Sequence, residues 1–170
     1  MQFIQTVSDL NQYLSTLPRP PVEYKIAMGA LIFTSDDKVI LIERGEGARD
    51  ATGKREGVGG GLEEGETDLI AALRREIDEE IGVKVEIDAT LIVKVMTGEH
   101  NQLWVVVDYL ARLSSGTPHI HEPAKIRNIY FSRLSEIEEN LLSEYQKVTM
   151  KAYRKKYGEV PFYKIATPQH

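Results

Sequence analysis

The chain contains no cysteine, which excludes a disulfide scaffold, a thiolate metal site and a cysteine nucleophile together. It also lacks any apolar run approaching the roughly 20 residues that a bilayer-spanning helix needs. The opening residues, MQFIQTVSDLNQYLSTLPRPP, carry no basic leader, and Asp9 interrupts their apolar positions before a signal core can form. The expectation is a soluble, cytoplasmic protein with no membrane partner. Positive charge is scarce relative to negative: 21 Lys and Arg face 26 Asp and Glu, for a formal net charge of -5. Duplex nucleic acid is therefore not an expected partner. Internal repeats and low-complexity tracts are absent as well.

What is present is one domain's length, 170 residues with 42% hydrophobic content, enough to bury a core. Residues about 3–16 read as a short helix ended by Leu17-Pro18-Arg19-Pro20-Pro21, since proline cannot continue a helix. This sets residues 1–21 apart as an N-terminal appendage, followed by a main domain at 22–158 and a tail at 159–170. EYKIAMGALIFT and DKVILIER read as two strands around a Ser35-Asp36-Asp37 turn. Residues 45–66 are rich in glycine and charge and read as a long loop, of a length that compact domains keep for function. A helix from about Thr67 to Ile81 follows, then strands in KVEIDATLIVKVMT, NQLWVVVDYLARL and IRNIYFS. Residues 134–157 read as one amphipathic helix, with Leu134, Ile137, Leu141, Leu142, Tyr145 and Val148 at helical spacing. The mixture gives an α/β (α+β) fold class, with helices packed on a mixed sheet.

The chemistry concentrates in GGGLEEGETDLIAALRREIDEEIGV. At i, i+3 and i+4, Glu76, Glu79 and Glu80 share one helix face, beside an apolar stripe of Ile70, Leu73, Ile77 and Ile81. Gly82 followed by Val83 supplies a helix stop, which places Glu79 and Glu80 in the last turn. Carboxylates there face the negative end of the helix dipole, and Glu76 repels Glu80 at i, i+4. Stability alone does not select this arrangement; a bound divalent cation turns the repulsion into attraction. Three glutamates on one face also suit a merely solvated surface, and the adjoining residues decide between the two.

Arg75-Glu76-Ile77-Asp78-Glu79-Glu80-Ile81-Gly82-Val83 resembles the second half of the Nudix box, R-E-U-x-E-E-x-G-U with U aliphatic, at every specified position. At average residue frequencies, the chance of such a match somewhere in the chain is on the order of 10⁻⁵. The first half matches too, with Gly60 followed after five residues by Glu66. Eight residues rather than the family's seven separate Glu66 from Arg75; the extra one is expected to be absorbed near Thr67-Asp68, where a helix cap can form. Arg74, at the family's interval, is an alternative partner for Glu66. Arg55 and Val58 stand where the family commonly has Trp and Pro.

The resemblance implies a Nudix-type α/β/α sandwich, a mixed β-sheet flanked by helices, and hydrolysis of a phosphoanhydride bond in a nucleoside diphosphate linked to another moiety. It implies a Mg2+ cofactor, with Mn2+ as a substitute, held by Glu76, Glu79, Glu80 and the Gly60 carbonyl. A hard cation taking carboxylate, carbonyl and water fits that donor set. Arg75 reaches Glu79 at i+4 and is assigned to orienting a ligand, with a plain surface ion pair as the alternative. The water-activating base is left between Glu79 and Glu122, the latter in the loop HIHEPAK. Arg44, Arg49, Lys54 and Arg55, in or beside the glycine-containing loop, are candidate contacts to substrate phosphates. His119 and His121 read as an exposed loop or as an independent metal site, and Trp104 and Tyr109 as strand packing or as a stacking surface for a base. Three functional classes stand: a catalytic Nudix pyrophosphatase, a non-catalytic nucleotide-binding module of the same fold, and an RNA-end-processing hydrolase, which the acidic net charge disfavours. The stretch TGEHN at 97–101 has neither the proline nor the tyrosine that mark certain substrates in the family, and a coenzyme A signature is also missing. The substrate's second moiety stays open, as does a homodimer.

Overall fold

Strand β1 (Lys25–Phe33) runs through the middle of the molecule, parallel to β6 (Leu103–Ser115) and antiparallel to β2 (Val39–Arg44) and β4 (Val58–Gly61). The structure, a computed structural model, describes residues 1–48 and 51–165. Among these residues, seven strands form one mixed sheet. Strand β5 (Lys84–Thr97) is antiparallel to β6, while β3 (Arg55–Glu56) and β7 (Ile126–Ser132) both pair with β2. Helix α2 (Leu69–Ile81) covers one face of the sheet and α3 (Glu144–Tyr157) the other. The fold class is thus the α+β arrangement with helices on a mixed sheet that the sequence pattern indicates. No helix among the described residues is long and apolar enough to cross a membrane.

Strand periodicity sorts the core into two layers. Met28, Ala30 and Ile32 of β1 and Val105, Val107 and Tyr109 of β6 pack with Leu73, Ile77 and Ile81 of α2. The alternate residues, Leu31, Phe33 and Leu110, pack with Met150 and Tyr153 of α3. Tyr109 is completely buried and donates its hydroxyl to the Ile4 carbonyl at 2.9 Å, so it belongs to the core and offers no stacking surface.

Two segments differ from the sequence reading. Residues 45–66 are not one loop: β3 and β4 form within them because the backbone of Val58–Gly61 finds partners along β1. Residues 134–157 are not one helix. Leu134–Glu136 and Glu139–Leu141 form separate 3-10 turns, and α3 begins only at Glu144, where Ser143 caps it by accepting a hydrogen bond from the Gln146 N–H at 3.2 Å. Leu134, Ile137 and Leu142 are buried all the same, but Val148 faces solvent. The N-terminal helix, α1 (Val7–Ser15), packs into the same core as the rest of the chain through Ile4, Leu10 and Leu14. The Ile4 N–H also donates to Thr90 Oγ1 at 2.9 Å.

Because Leu10 is fully buried in this core, Leu10→Ala is expected to destabilise the protein by about 2–5 kcal/mol in urea denaturation. A loss below about 0.5 kcal/mol, as for surface positions, would place the segment outside the cooperative core.

Candidate active site

Helix α2 is held at both ends. At its start Asp68 accepts a hydrogen bond from the Ala71 N–H at 2.9 Å, and the Val7 N–H donates to the Thr67 carbonyl, also at 2.9 Å. The helix therefore begins at Leu69, and the extra residue before Arg75 is taken up ahead of the first turn. Its end is set by Gly82, whose φ of 66° lies in the left-handed region that glycine enters freely. The loop after β6 closes that end: the N–H groups of His119 and His121 donate to the carbonyls of Ile81 and Glu80 at 3.1 and 3.0 Å. The two imidazoles stack on Gly82, where a Cβ would meet them at 2.7 to 2.8 Å.

With α2 fixed in this way, Arg75 rather than Arg74 meets Glu66. The guanidinium grips that carboxylate with two bonds, Nε to Oε1 at 2.9 Å and Nη2 to Oε2 at 3.0 Å. Its Nη1 reaches Glu76 at 2.8 Å, Glu79 at 3.2 Å and Glu63 at 3.4 Å. The hydrogen bonds from Arg75 hold the Glu66 carboxyl below its ordinary range, and Glu66 in return raises the guanidinium. Arg74 is exposed.

Glu80 turns away from this cluster into the protein. Only 7% of it is exposed, and it accepts a long hydrogen bond from the Gly59 N–H at 3.3 Å. Burial, then the adjacent Glu76 carboxylate, push the Glu80 carboxyl up to about 8. Burial also raises Glu76, against the pull of Arg75. Gly60 packs on Glu76 so tightly that a Cβ there would stand 2.2 Å from Oε2. The loop residue Glu122 pairs with Lys125 at 2.9 Å, and both charges act on Glu80 or Glu76.

Carboxylates crowded against a glycine backbone are the oxygen-donor set that a hard divalent cation takes, and the residues present fit one. Among the described residues, however, no three acidic or imidazole groups stand converged as ligands. The reason is Arg75, which draws Glu76 and Glu79 to itself while Glu80 points at Gly59.

Glu76 and Glu80 line a cleft of about 890 Å³ together with residues of β1, β4, β6 and α3. Arg44 lines the cleft and pairs with Glu56. Lys54 and Arg55 are not part of its lining. Lys54 donates to the Asn140 carbonyl at 2.9 Å, and the Arg55 guanidinium lies 3.6 Å from the centre of the Tyr130 ring. Arg49 lies outside the described residues, as does His170. Among the polar lining residues that sequence reasoning missed are Lys94, Asp108, Lys125 and Gln146. For two of them a signal was there, since Lys94 interrupts the apolar run LIVKVM and Asp108 interrupts WVVVDYL.

The NUDIX domain family's sequence pattern matches residues 23–153, and the chain belongs to that family. Its fold is that of solved structures of the group. A MutT NUDIX hydrolase from Burkholderia pseudomallei is 26% identical, with a TM-score of 0.68 over 77% of this chain and 98% of the other. A MutT protein from Methanosarcina mazei Go1 is 17% identical, with a TM-score of 0.68 over 83% and 98%. The NUDIX domain of Shewanella oneidensis NrtR, solved with ADP ribose, is 19% identical, with a TM-score of 0.63 over 86% and 97%. No curated protein sequence matches the chain.

The raised Glu80 carboxyl makes metal-free stability depend on pH. The folded state keeps this proton up to about 8, whereas the unfolded chain releases it near the ordinary glutamate value of 4.5. The contribution is therefore greatest below the unfolded value and is lost as pH rises through that window. Melting temperatures measured in a chelator should fall across this range for the wild type and fall less for Glu80→Gln. Parallel curves for the two proteins would show that Glu80 is not the group responsible.

Proposed function

We propose that the protein is a metal-dependent pyrophosphohydrolase that cleaves a phosphoanhydride bond of a nucleoside diphosphate linked to another moiety. The observation that carries this reading is the acidic face of α2: Glu76 and Glu80 line a cleft large enough for a nucleotide, beside the glycine strand β4. Glu76, Glu79, Glu80 and the Gly60 carbonyl are the residues proposed to hold Mg2+, or Mn2+ in its place. The bound cation supplies neutralisation of phosphate charge and polarisation of the attacking water.

Arg75 acts by position. It keeps Glu76 and Glu79 close to Glu80 although like charges repel, and its hold on Glu66 fixes the guanidinium itself. Glu79 is half exposed and must leave Arg75 to turn toward a water; Glu122 sits within electrostatic reach of Glu80. These two are the proposed general bases. Arg44 and Lys125, both in the cleft lining, are the proposed contacts to substrate phosphates. Lys54 and Arg55, held on Asn140 and Tyr130, must leave those partners to do the same.

Incubated with Mg2+ and a panel of nucleoside triphosphates, nucleotide sugars, ADP-ribose and dinucleotides, the protein is expected to hydrolyse at least one member and to stop in excess chelator. Inactivity across the panel would favour a non-catalytic nucleotide-binding module. Glu80→Gln should lower kcat by about 10²-fold or more, as should Gln at whichever of Glu79 and Glu122 is the base. Wild-type kcat in Glu80→Gln would remove that side chain from the mechanism.

A further inference from the structure

The loop between β6 and β7 carries two imidazoles that the hydrolytic site does not use. His119 and His121 are both exposed, while Ile120 between them packs against the core. Their main-chain N–H groups are held by the carbonyls of Ile81 and Glu80, so the loop is pinned to the end of α2 on either side of Ile120. Alternation along the chain then sends both rings to the side opposite Ile120. The ring centroids lie 4.1 Å apart with the planes at 74°, and Nε2 of one ring faces Nε2 of the other. Gly82 makes this approach possible, because any side chain there would occupy the space of both rings.

The hydrogen bonding fixes what His119 offers. The Thr117 carbonyl can only accept, so His119 Nδ1, 2.9 Å from it, carries the ring proton. In the neutral ring Nε2 is then a lone pair aimed at a second ring nitrogen. Two lone pairs repel; a proton or a metal ion between them turns that contact into a bond. An Nδ1–H held by a main-chain carbonyl is also the support that metal-ligating imidazoles ordinarily have. No third acidic or imidazole group converges on the pair among the described residues. The exposed rings leave room for water to complete a coordination shell.

We propose that His119 and His121 form an exchangeable site for an imidazole-preferring transition-metal dication, Zn2+, Ni2+ or Cu2+, separate from the glutamates of α2. Imidazole nitrogen suits these ions, whereas Mg2+ takes oxygen donors. Ligand bonds of about 2 Å in tetrahedral geometry set the two Nε2 atoms about 3.3 Å apart, which rotation of the exposed rings provides. The bound ion ties the loop to the stop of α2 and steadies the neighbouring Glu122. The site does not depend on the hydrolase reading.

The test is metal binding to the tag-free protein in a large excess of Mg2+, which fills oxygen-donor sites. One equivalent of Zn2+ should bind in calorimetry. His119→Gln and His121→Gln should each weaken it about tenfold or more, at least the loss that follows removal of a ligand's outer partner. The double variant should abolish it, and His100→Gln should leave it unchanged. With Cu2+ as a probe, electron paramagnetic resonance should count two imidazole nitrogens. Zn2+ should raise the melting temperature of the wild type and not that of the double variant. Absence of Zn2+ binding would overturn the proposal and leave a hydrogen bond between the rings. Binding or a thermal shift retained in the double variant, or a Cu2+ spectrum with fewer than two imidazoles, would overturn it as well. Both side chains are exposed and the loop is held through main-chain N–H groups, so the variants are expected to fold. The wild-type Zn2+ and Cu2+ measurements decide even if they do not.

Discussion

One guanidinium organises the acidic end of α2. Arg75 lies within ion-pair distance of Glu63, Glu66, Glu76 and Glu79, while Glu80 is buried against Gly59. Without that positive charge the carboxylates would repel one another apart, and the helix end already disfavours them through its dipole. The arrangement is tense rather than restful: burial raises Glu76 and Glu80 above ordinary carboxyl values even with Arg75 in place. Sites that bind cations are where such tension is expected, because the ion removes it.

Much of the fold serves to keep that cluster in place. The N-terminal segment holds the first turn of α2 through Thr67 and Asp68, and the His119–His121 backbone holds the last through Glu80 and Ile81. Strand β4 places Gly60 against Glu76 with no room for a side chain. Gly59 of that strand lies in one row with Gly29 and Asp108, so the acidic end of α2 and Asp108 are set by one sheet. Sites built on paired strands and a capped helix hold their geometry better than sites on loops.

The acidic face was legible in the sequence because it is local: i, i+3 and i+4 on one helix need no tertiary knowledge. The pairing of Arg75 with Glu66 was less so. Counting residues pointed to Arg74 and the motif to Arg75, and the outcome depends on Asp68 serving as the cap, which the docked N-terminal segment supports. The role of that segment was hidden, since Ile4 meets Thr90 and Tyr109 across 86 and 105 residues of chain. The break before α3 was hidden for a similar reason: Ser143 is held by Glu56 from another strand, at 2.8 Å. Lys94, Asp108 and Gln146 lie on three elements, and their meeting follows from strand register rather than from any one segment.

The measurement that bears most directly on the gathered carboxylates is the position of Mn2+, located by anomalous diffraction in crystals grown with a non-hydrolysable nucleotide. The expected peak lies among Glu76, Glu79, Glu80 and the Gly60 carbonyl, at oxygen distances of about 2 Å, with Glu76 or Glu79 turned away from Arg75. A peak only between His119 and His121, or none near α2 with both glutamates still on Arg75, would contradict it.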